Sequence, residues 1–265
     1  MSKVNYEFEI YRISVPVESI TGVWEFHRPS NFKYLCYSLP GHLLHLVTKG
    51  SYTVRINSRV YEVNEGDVIY YYESEEVESI GNETEVTFYS VGFQASKLSP
   101  LSIENRVFQS TSGMQLSFKR LFEGYSSYEA KPRPYKTFAA LMDILSGINE
   151  LYRMSQDKDE ENEELWWALE RRIREQKMFR PSLSDLSEIA GYSRATVIRS
   201  CKKVTGLTPQ SRMQIIRMEE AKGLLSFANL NVSQVAEYLG YPRMHEFSRE
   251  FSRYFGKPPS KFLKK

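Results

Sequence analysis

Arginine side chains occupy matching places in two copies of a short pattern near the C-terminal end of the chain. The first copy reads Gly191-Tyr192-Ser193-Arg194, and the second reads Gly240-Tyr241-Pro242-Arg243. A further arginine follows each copy, at Arg199 and at Arg249. A guanidinium can donate two parallel hydrogen bonds to a guanine edge or to a phosphate. The chemistry that these residues predict is therefore binding to nucleic acid, and we expect no catalytic residue.

Each copy lies between two stretches of helical periodicity. Leu183, Leu186 and Ile189 recur at three-residue spacing before the first glycine, as the buried stripe of a short helix would. Glycine allows the sharp turn that follows, and Ser193 is a natural N-cap for the next helix. Two helices joined by such a turn form a helix-turn-helix, whose second helix enters the DNA major groove. The repeat predicts two of these units.

This region resembles the DNA-binding domain of the AraC/XylS family of bacterial transcription regulators. The resemblance runs from about Glu164 to the C-terminus and is most specific at Gly240-Tyr241, Phe247-Ser248-Arg249 and Phe255-Gly256. It implies two helix-turn-helix units on either side of a connecting helix. The sequence places that helix from Thr208 to about Ser226, with Pro209 at its first position.

The resemblance also implies which side chains meet DNA. Those expected to read bases are Arg194, Ala195, Ile198, Arg199, Arg243, Met244, His245 and Arg249. Those expected to bind phosphate are Lys202, Lys203, Arg253 and Lys257. The alanine and the isoleucine can touch a thymine methyl, whereas most arginine contacts go to the backbone.

The charge of the chain is unevenly distributed. The whole sequence has a net charge of +2, but residues 165–265 hold 19 Lys+Arg against 9 Asp+Glu. The remaining residues, 1–164, hold 16 against 24. A basic C-terminal part is typical of a surface that binds phosphates.

The N-terminal part has the alternation of β-strands. Tyr52, Val54 and Ile56 alternate with polar residues, Asn57-Ser58 reads as a hairpin turn, and Gly66-Asp67 reads as another. Short strands with regular turns favour a sandwich or barrel. From about Val23 to Phe93 the pattern resembles a cupin barrel, which members of the AraC/XylS family carry in front of the DNA-binding domain.

Many cupins are metal enzymes, but the ligands that their motifs require are missing here. His42 and His45 are three residues apart and should face opposite sides of a strand, and Val77 stands where the second motif would have a histidine. We therefore expect no metal and no cofactor, and interpret the barrel as a binding cup. A carbohydrate would need aromatic faces and a few polar groups, and the candidates are Trp24, Arg28, Tyr37, His42, His45, Tyr70 and Tyr72.

After Phe93 the apolar residues recur at the spacing of a helix. A stripe along residues 134–152 either packs on the barrel or associates with a second subunit, and the resemblance favours dimerisation. The dimerisation residues are then Leu141, Leu145, Ile148 and Tyr152. The acidic stretch 156–164 has no apolar residue and is interpreted as a linker.

These patterns predict two domains: an all-β cupin-like barrel with dimerisation helices over residues 1–155, and an all-α double helix-turn-helix domain over residues 165–265. The expected function is sequence-specific regulation of transcription in response to a small molecule, a sugar or oligosaccharide before other classes. Two alternatives stay open: an effector-independent regulator whose barrel serves dimerisation or protein contacts, and a metal-dependent cupin enzyme fused to a DNA-binding domain.

The expected partners are double-stranded DNA, the effector, a second copy of the chain and RNA polymerase. No membrane partner is expected, because no run of about 18 apolar residues occurs. The N-terminus lacks the apolar core of a secretion signal. Only two cysteines are present, so a cytoplasmic location is expected.

Overall fold

Strands occupy the first part of the chain and helices the rest. The computed structural model describes residues 16–126, 134–153, 160–228 and 230–263. The strands are β1 (Ser19–Arg28), β2 (Leu35–Tyr37), β3 (His42–Lys49), β4 (Tyr52–Ile56), β5 (Arg59–Val63), β6 (Asp67–Tyr72), β7 (Glu76–Gly81), β8 (Val86–Gln94) and β9 (Val107–Gln109). A short 3-10 helix, Ile103–Asn105, precedes the last strand.

Two antiparallel sheets face each other. The five-stranded sheet has the order β1-β8-β3-β6-β9, and the four-stranded sheet has the order β2-β7-β4-β5. The predicted hairpin turn joins β4 to β5, where Asn57 adopts a positive φ of 52°, a conformation that asparagine tolerates better than most residues. Buried apolar side chains of both sheets, among them Val54, Ile56 and Phe88, fill the space between them.

Two helices, α1 (Ser112–Ser126) and α2 (Pro134–Arg153), cover the outer face of the five-stranded sheet. Leu141 and Ile148, which were expected at a dimer interface, are 0% and 6% exposed in this chain's own core. That prediction is wrong for both, because the stripe packs on the barrel. Leu145 and Tyr152 are half-buried against the same cluster, and the Tyr152 hydroxyl donates to the carbonyl of Asn105 at 2.6 Å.

The C-terminal helices are α3 (Glu160–Glu175), α4 (Leu183–Ala190), α5 (Arg194–Thr205), α6 (Pro209–Phe227), α7 (Val232–Tyr238) and α8 (Met244–Phe255), followed by a 3-10 helix, Pro259–Lys261. Helix α3 begins at Glu160, inside the stretch 156–164 that was interpreted as a linker, so residues 160–164 are helical. The rest of that stretch, residues 156–159, lies outside the described residues.

The two helix-turn-helix units are α4–α5 and α7–α8, and α6 connects them. Gly191 and Gly240 have φ values of 73° and 76°, so both turns use the left-handed conformation that glycine allows. Ser193 caps α5 by accepting a hydrogen bond from the Thr196 amide. The predicted connecting helix begins at Pro209, with Thr208 as its cap. The expected fold class is confirmed in both parts, and no described helix has the length and apolarity needed to cross a membrane.

Candidate nucleic-acid interface and sensor site

The first recognition helix, α5, presents a free face. Val197, Cys201 and Val204 are fully buried and hold the helix in the core. On the opposite side Arg194, Ala195 and Arg199 are exposed, and Ile198 is half-buried. Lys202, one turn further on, is also exposed, whereas Lys203 is half-buried. The face that was expected to read bases is therefore open to solvent.

The second recognition helix, α8, repeats this arrangement. Phe247 and Phe251 are fully buried, while Met244, His245 and Arg249 are exposed. Arg243 is exposed at the N-cap, and Arg253 and Lys257 are exposed towards the end of the helix and beyond it. The structure thus brings every predicted DNA-binding residue of this unit to the surface.

A buried ion pair joins α3 to the connecting helix α6. The guanidinium of Arg212 donates to both carboxylate oxygens of Glu170, at 3.0 and 2.7 Å, and both side chains are almost fully buried. Burial raises the pKa of Glu170, but the charges and hydrogen bonds of Arg212 and Arg174 outweigh it and lower the pKa to about 2. Glu170 is therefore ionised, and its ion pair with Arg212 orients α6, the helix that connects the two units.

The second unit is attached to α6 by another charged group. Glu250 of α8 accepts hydrogen bonds from Arg217 of α6 and from the hydroxyl of Tyr241, the latter at 2.8 Å. Burial raises the pKa of Glu250, yet these hydrogen bonds dominate and hold it below its usual range. The negative charge of Glu250 is thus compensated within the protein.

Inside the barrel, three side chains form a row across the five-stranded sheet. Trp24 on β1 and His45 on β3 both lie opposite Ser90 on β8. Burial lowers the pKa of His45 to about 3, so the ring is neutral. Neither His45 Nδ1 nor Ser90 Oγ has a hydrogen-bond partner among the described residues. Such buried polar atoms are suited to a polar ligand.

Arg28 lies at the end of β1 beside this row. Its guanidinium carbon is 4.3 Å from the centroid of the Tyr34 ring and 4.8 Å from that of Phe88. Sequence reasoning named Trp24, Arg28 and His45 but missed Tyr34, Phe88 and Ser90. The strand alternation could have found Phe88 and Ser90, since residues two apart share a face.

Four other effector candidates lie elsewhere. His42, Tyr70 and Tyr72 are on the outer face of the five-stranded sheet, where they pack with the cluster beneath α1 and α2 or against it. Tyr37 is outside the four-stranded sheet and stacks on Tyr254 of α8, with 5.3 Å between ring centroids. None of these four side chains lies between the two sheets, so the structure does not bring them together with Trp24, Arg28 and His45. As expected from their spacing, His42 and His45 face opposite sides of β3.

The barrel contacts both helix-turn-helix units. At the β4–β5 turn the side-chain amide of Asn57 donates to the carbonyl of Thr205 at 3.0 Å, and the Ser58 hydroxyl donates to the carbonyl of Gly206 at 3.0 Å. These carbonyls end α5, the first recognition helix. Tyr37 meets the second one through Tyr254. The barrel therefore contacts the C-terminal end of each recognition helix and leaves the exposed faces free.

The β6–β7 turn adds a third contact. Glu73 forms an ion pair with Arg174 of α3 at 2.7 Å, and its backbone carbonyl accepts a hydrogen bond from Arg212 at 3.2 Å. Tyr72, the preceding residue, lies edge-on to Trp167, with 5.3 Å between ring centroids. The buried ion pair of the DNA-binding domain is thus in direct contact with the barrel. Among the described residues no cluster of three or more His, Cys, Asp or Glu could hold a metal ion.

Comparisons with known proteins agree with this architecture. A family model described as an AraC-like ligand binding domain matches residues 31–169, and one described as a helix-turn-helix domain matches residues 186–265. The crystal structure of ToxT from Vibrio cholerae superposes with a TM-score of 0.53 at 12% identity, over 93% of this chain and 98% of that chain. This likeness concerns the fold.

Curated relatives match the C-terminal region. YobQ of Bacillus subtilis (strain 168), an uncharacterized HTH-type transcriptional regulator, is 36% identical over 80 residues, which are 30% of this chain and 33% of that protein. The raffinose operon transcriptional regulatory protein RafR of Pediococcus pentosaceus is 32% identical over 83 residues, 31% of this chain and 30% of that protein. The chain thus matches about a third of the length of these relatives.

A cupin-like ligand-binding domain joined to paired helix-turn-helix units defines a DNA-binding regulator of transcription rather than an enzyme. The chain belongs to the AraC family of transcriptional regulators, since the ligand-binding model of that family covers more than half of its residues.

Proposed function

We propose that this regulator responds to a carbohydrate bound in its barrel and that the barrel sets the orientation of the two recognition helices. The observation that carries the proposal is the contact of one domain with both units, through Asn57 at the end of α5 and Tyr37 on α8. A ligand that alters the barrel would thereby act on both DNA-binding elements at once.

The proposed contacts to DNA are the exposed residues of the two recognition helices. Arg199 and Arg249 would grip base edges or phosphates, and Ala195 would touch a thymine methyl. Lys202, Arg253 and Lys257 would bind phosphate, because all three are exposed on the two units. The positive charge of residues 165–265 supports this arrangement.

The proposed effector site is the row of Trp24, Ser90 and His45, together with Arg28. An indole face can stack on a sugar ring, while the unpartnered Ser90 hydroxyl and His45 nitrogen can bind its hydroxyl groups. One relative of the C-terminal region supports a link to sugar metabolism by name, the raffinose operon transcriptional regulatory protein of Pediococcus pentosaceus.

The proposed mechanism is linkage between the two sites. A ligand that prefers one arrangement of the barrel shifts the populations of DNA-binding arrangements by its difference in affinity. Coupling of this kind is typically about 1–3 kcal/mol. We further propose that the regulator acts in the cytoplasm as a homodimer and that RNA polymerase is a partner at the promoter. The half-buried Leu145 and Tyr152 remain candidates for the dimer contact.

One observation favours a second candidate, an effector-independent regulator. Aromatic side chains such as Tyr52, Tyr71 and Phe88 are buried between the two sheets and occupy part of the interior. A barrel that is already packed could serve to hold the helix-turn-helix units or to contact another protein. The two candidates differ in whether a sugar binds at all.

Calorimetric titration with a panel of mono- and oligosaccharides separates the candidates. A saccharide that binds the wild-type chain, changes its affinity for DNA and loses binding in Arg28→Ala would support the sensor. Arg55→Ala is the matched control, since Arg55 is an exposed strand residue on the outer face, paired with Glu78 at 2.6 Å. Absence of binding across the panel, with DNA binding intact, would favour the effector-independent candidate.

A further inference from the structure

A cleft separates the two helix-turn-helix units on the DNA-binding domain. It has a volume of about 800 Å³ and continues into a smaller one of about 230 Å³. Arg180, in the loop between α3 and α4, lines both. Arg180 belongs to neither copy of the repeat and to neither recognition helix, so these features predict no role in DNA binding for it.

The cleft is bounded by residues of both recognition helices. Its larger part is bounded by Ile198 and Lys202, which continue the exposed stripe of α5 that begins at Arg194. Its smaller part is bounded by Arg249 and Arg253, which lie on the corresponding stripe of α8. The cleft therefore lies between the two surfaces that approach the duplex.

Arg180 supplies a positive charge at this place, and its guanidinium donates a hydrogen bond to the Gly240 carbonyl at 3.4 Å. Its side chain is exposed and no carboxylate of the described residues forms an ion pair with it. The guanidinium carbon is 4.5 Å from the centroid of the Tyr241 ring, which holds the side chain over the cleft. Glu250 is the acidic residue that lines both parts, and its charge is taken up by Arg217.

The geometry of B-DNA decides what this charge meets. Recognition helices that enter successive major grooves on one face of the duplex are about 34 Å apart. Between them the minor groove faces the protein, and a phosphate backbone runs along each of its sides. We propose that Arg180 binds a DNA phosphate beside this central minor groove. The inference rests on the binding of DNA by both units.

The test measures binding of Arg180→Ala and Arg180→Lys to a duplex selected from a random library by the wild-type chain, over a range of salt concentrations. Loss of one phosphate contact lowers the slope of log K against log salt by about 0.9 and weakens binding by roughly eight-fold at 0.1 M salt. Arg180→Lys should keep most of the slope, because it keeps the charge. Arg172→Ala is the control, an exposed arginine on α3 that donates to the Ile189 carbonyl and lines a different groove.

Each result decides the matter. An unchanged slope in Arg180→Ala overturns the proposal, even if affinity falls, because loss of support for Tyr241 would weaken binding without removing a phosphate contact. An equal loss of slope in Arg172→Ala also overturns it. Failure of the wild-type chain to select any duplex would instead contradict DNA binding by the paired units.

Discussion

The side-chain amide of Asn57 lies 3.0 Å from the carbonyl oxygen of Thr205, and this hydrogen bond joins the barrel to the end of the first recognition helix. The other end of the same side chain, Oδ1, accepts a hydrogen bond from the Glu76 amide at 3.1 Å. One residue thus joins a hairpin turn of the barrel to the first helix-turn-helix unit. The contact lies at the C-terminal end of α5, where the last carbonyls of a helix have no partner within the helix.

Replacing Asn57 by aspartate should loosen this contact without harming the hairpin. The acceptor towards Glu76 and the tolerance of a positive φ are kept, but the donor is replaced by a carboxylate oxygen that repels the Thr205 carbonyl. We expect faster hydrogen exchange in residues 203–208 and a loss of about 1–3 kcal/mol of docking free energy. Unchanged exchange there would contradict the role of Asn57. Asn82→Asp, in a barrel loop where the side chain donates to Pro29 and Thr84, is the control.

Gly206→Ala should open the same contact by a different route. Gly206 has a φ of 72°, and a Cβ there would lie 2.8 Å from the Ser58 hydroxyl oxygen. Gly191 has nearly the same φ, at 73°, but a Cβ there would meet nothing within 4 Å. Gly191→Ala should therefore show only the backbone strain, about 1–2 kcal/mol, whereas Gly206→Ala should also push the Ser58 hydroxyl away from its hydrogen bond with the Gly206 carbonyl. Faster hydrogen exchange in residues 203–208 checks this, and adding Ser58→Ala to Gly206→Ala should relieve the close contact but not the backbone strain.

Arg199→Ala and Arg249→Ala should each weaken binding to the selected duplex by roughly 1–3 kcal/mol. Both side chains are exposed on recognition helices, so their removal should spare the fold. A gel-shift titration measures the affinity, and unchanged binding in both variants would refute the assignments.

Lys257→Ala should weaken binding to specific and to non-specific duplexes alike, since a phosphate contact does not depend on sequence.

Glu170→Gln should destabilise the DNA-binding domain by about 3–5 kcal/mol, because it leaves the guanidinium of Arg212 buried without a charged partner. Urea unfolding followed by tryptophan fluorescence measures the change, since Trp166 donates to Glu170 at 3.0 Å. Glu164→Gln removes a solvent-exposed ion pair with Arg171 on the same helix and should cost under about 1 kcal/mol. Equal effects of the two variants would contradict a structural role for the buried pair.

The stability of the barrel should fall as the pH is lowered from about 6.5, the ordinary pKa of histidine. Burial lowers the pKa of His42 to about 4 and that of His45 to about 3. Between these values and 6.5 the unfolded chain binds protons that the folded chain does not, so the free energy of unfolding decreases with falling pH.

His45→Phe should reduce this loss by up to roughly 1.4 kcal/mol per pH unit. Thermal melting between pH 7 and pH 4 or so measures it. His27→Phe, whose side chain is 61% exposed, is the control for replacing a histidine by phenylalanine at the surface of the barrel. An identical pH dependence in His45→Phe would show that His45 is accessible to protons in the folded state.

The DNA-binding domain could be predicted almost completely from local pattern. The turn glycines, the Ser193 cap and the Pro209 start of α6 act within a few residues of themselves, and the structure has all of them where they were expected. The exposed faces of α5 and α8 follow from the same helical period. The excess of basic residues in this domain also indicated that its partner carries negative charge. Local sequence was sufficient to predict these elements, because each cap, turn or helix start acts on residues within one or two helical turns of itself.

The barrel shows where local pattern is insufficient. Alternation tells which residues share a face, but both faces of β3 and β6 are buried, one by the other sheet and one by α1 and α2. Nothing in the strand itself says which face is the inside, so the sequence could not tell that His45 lies between the sheets while His42, Tyr70 and Tyr72 lie beneath the helices. The contacts of Asn57 and Tyr37 with the recognition helices join residues more than 140 positions apart. Only the packing of the two domains could decide them.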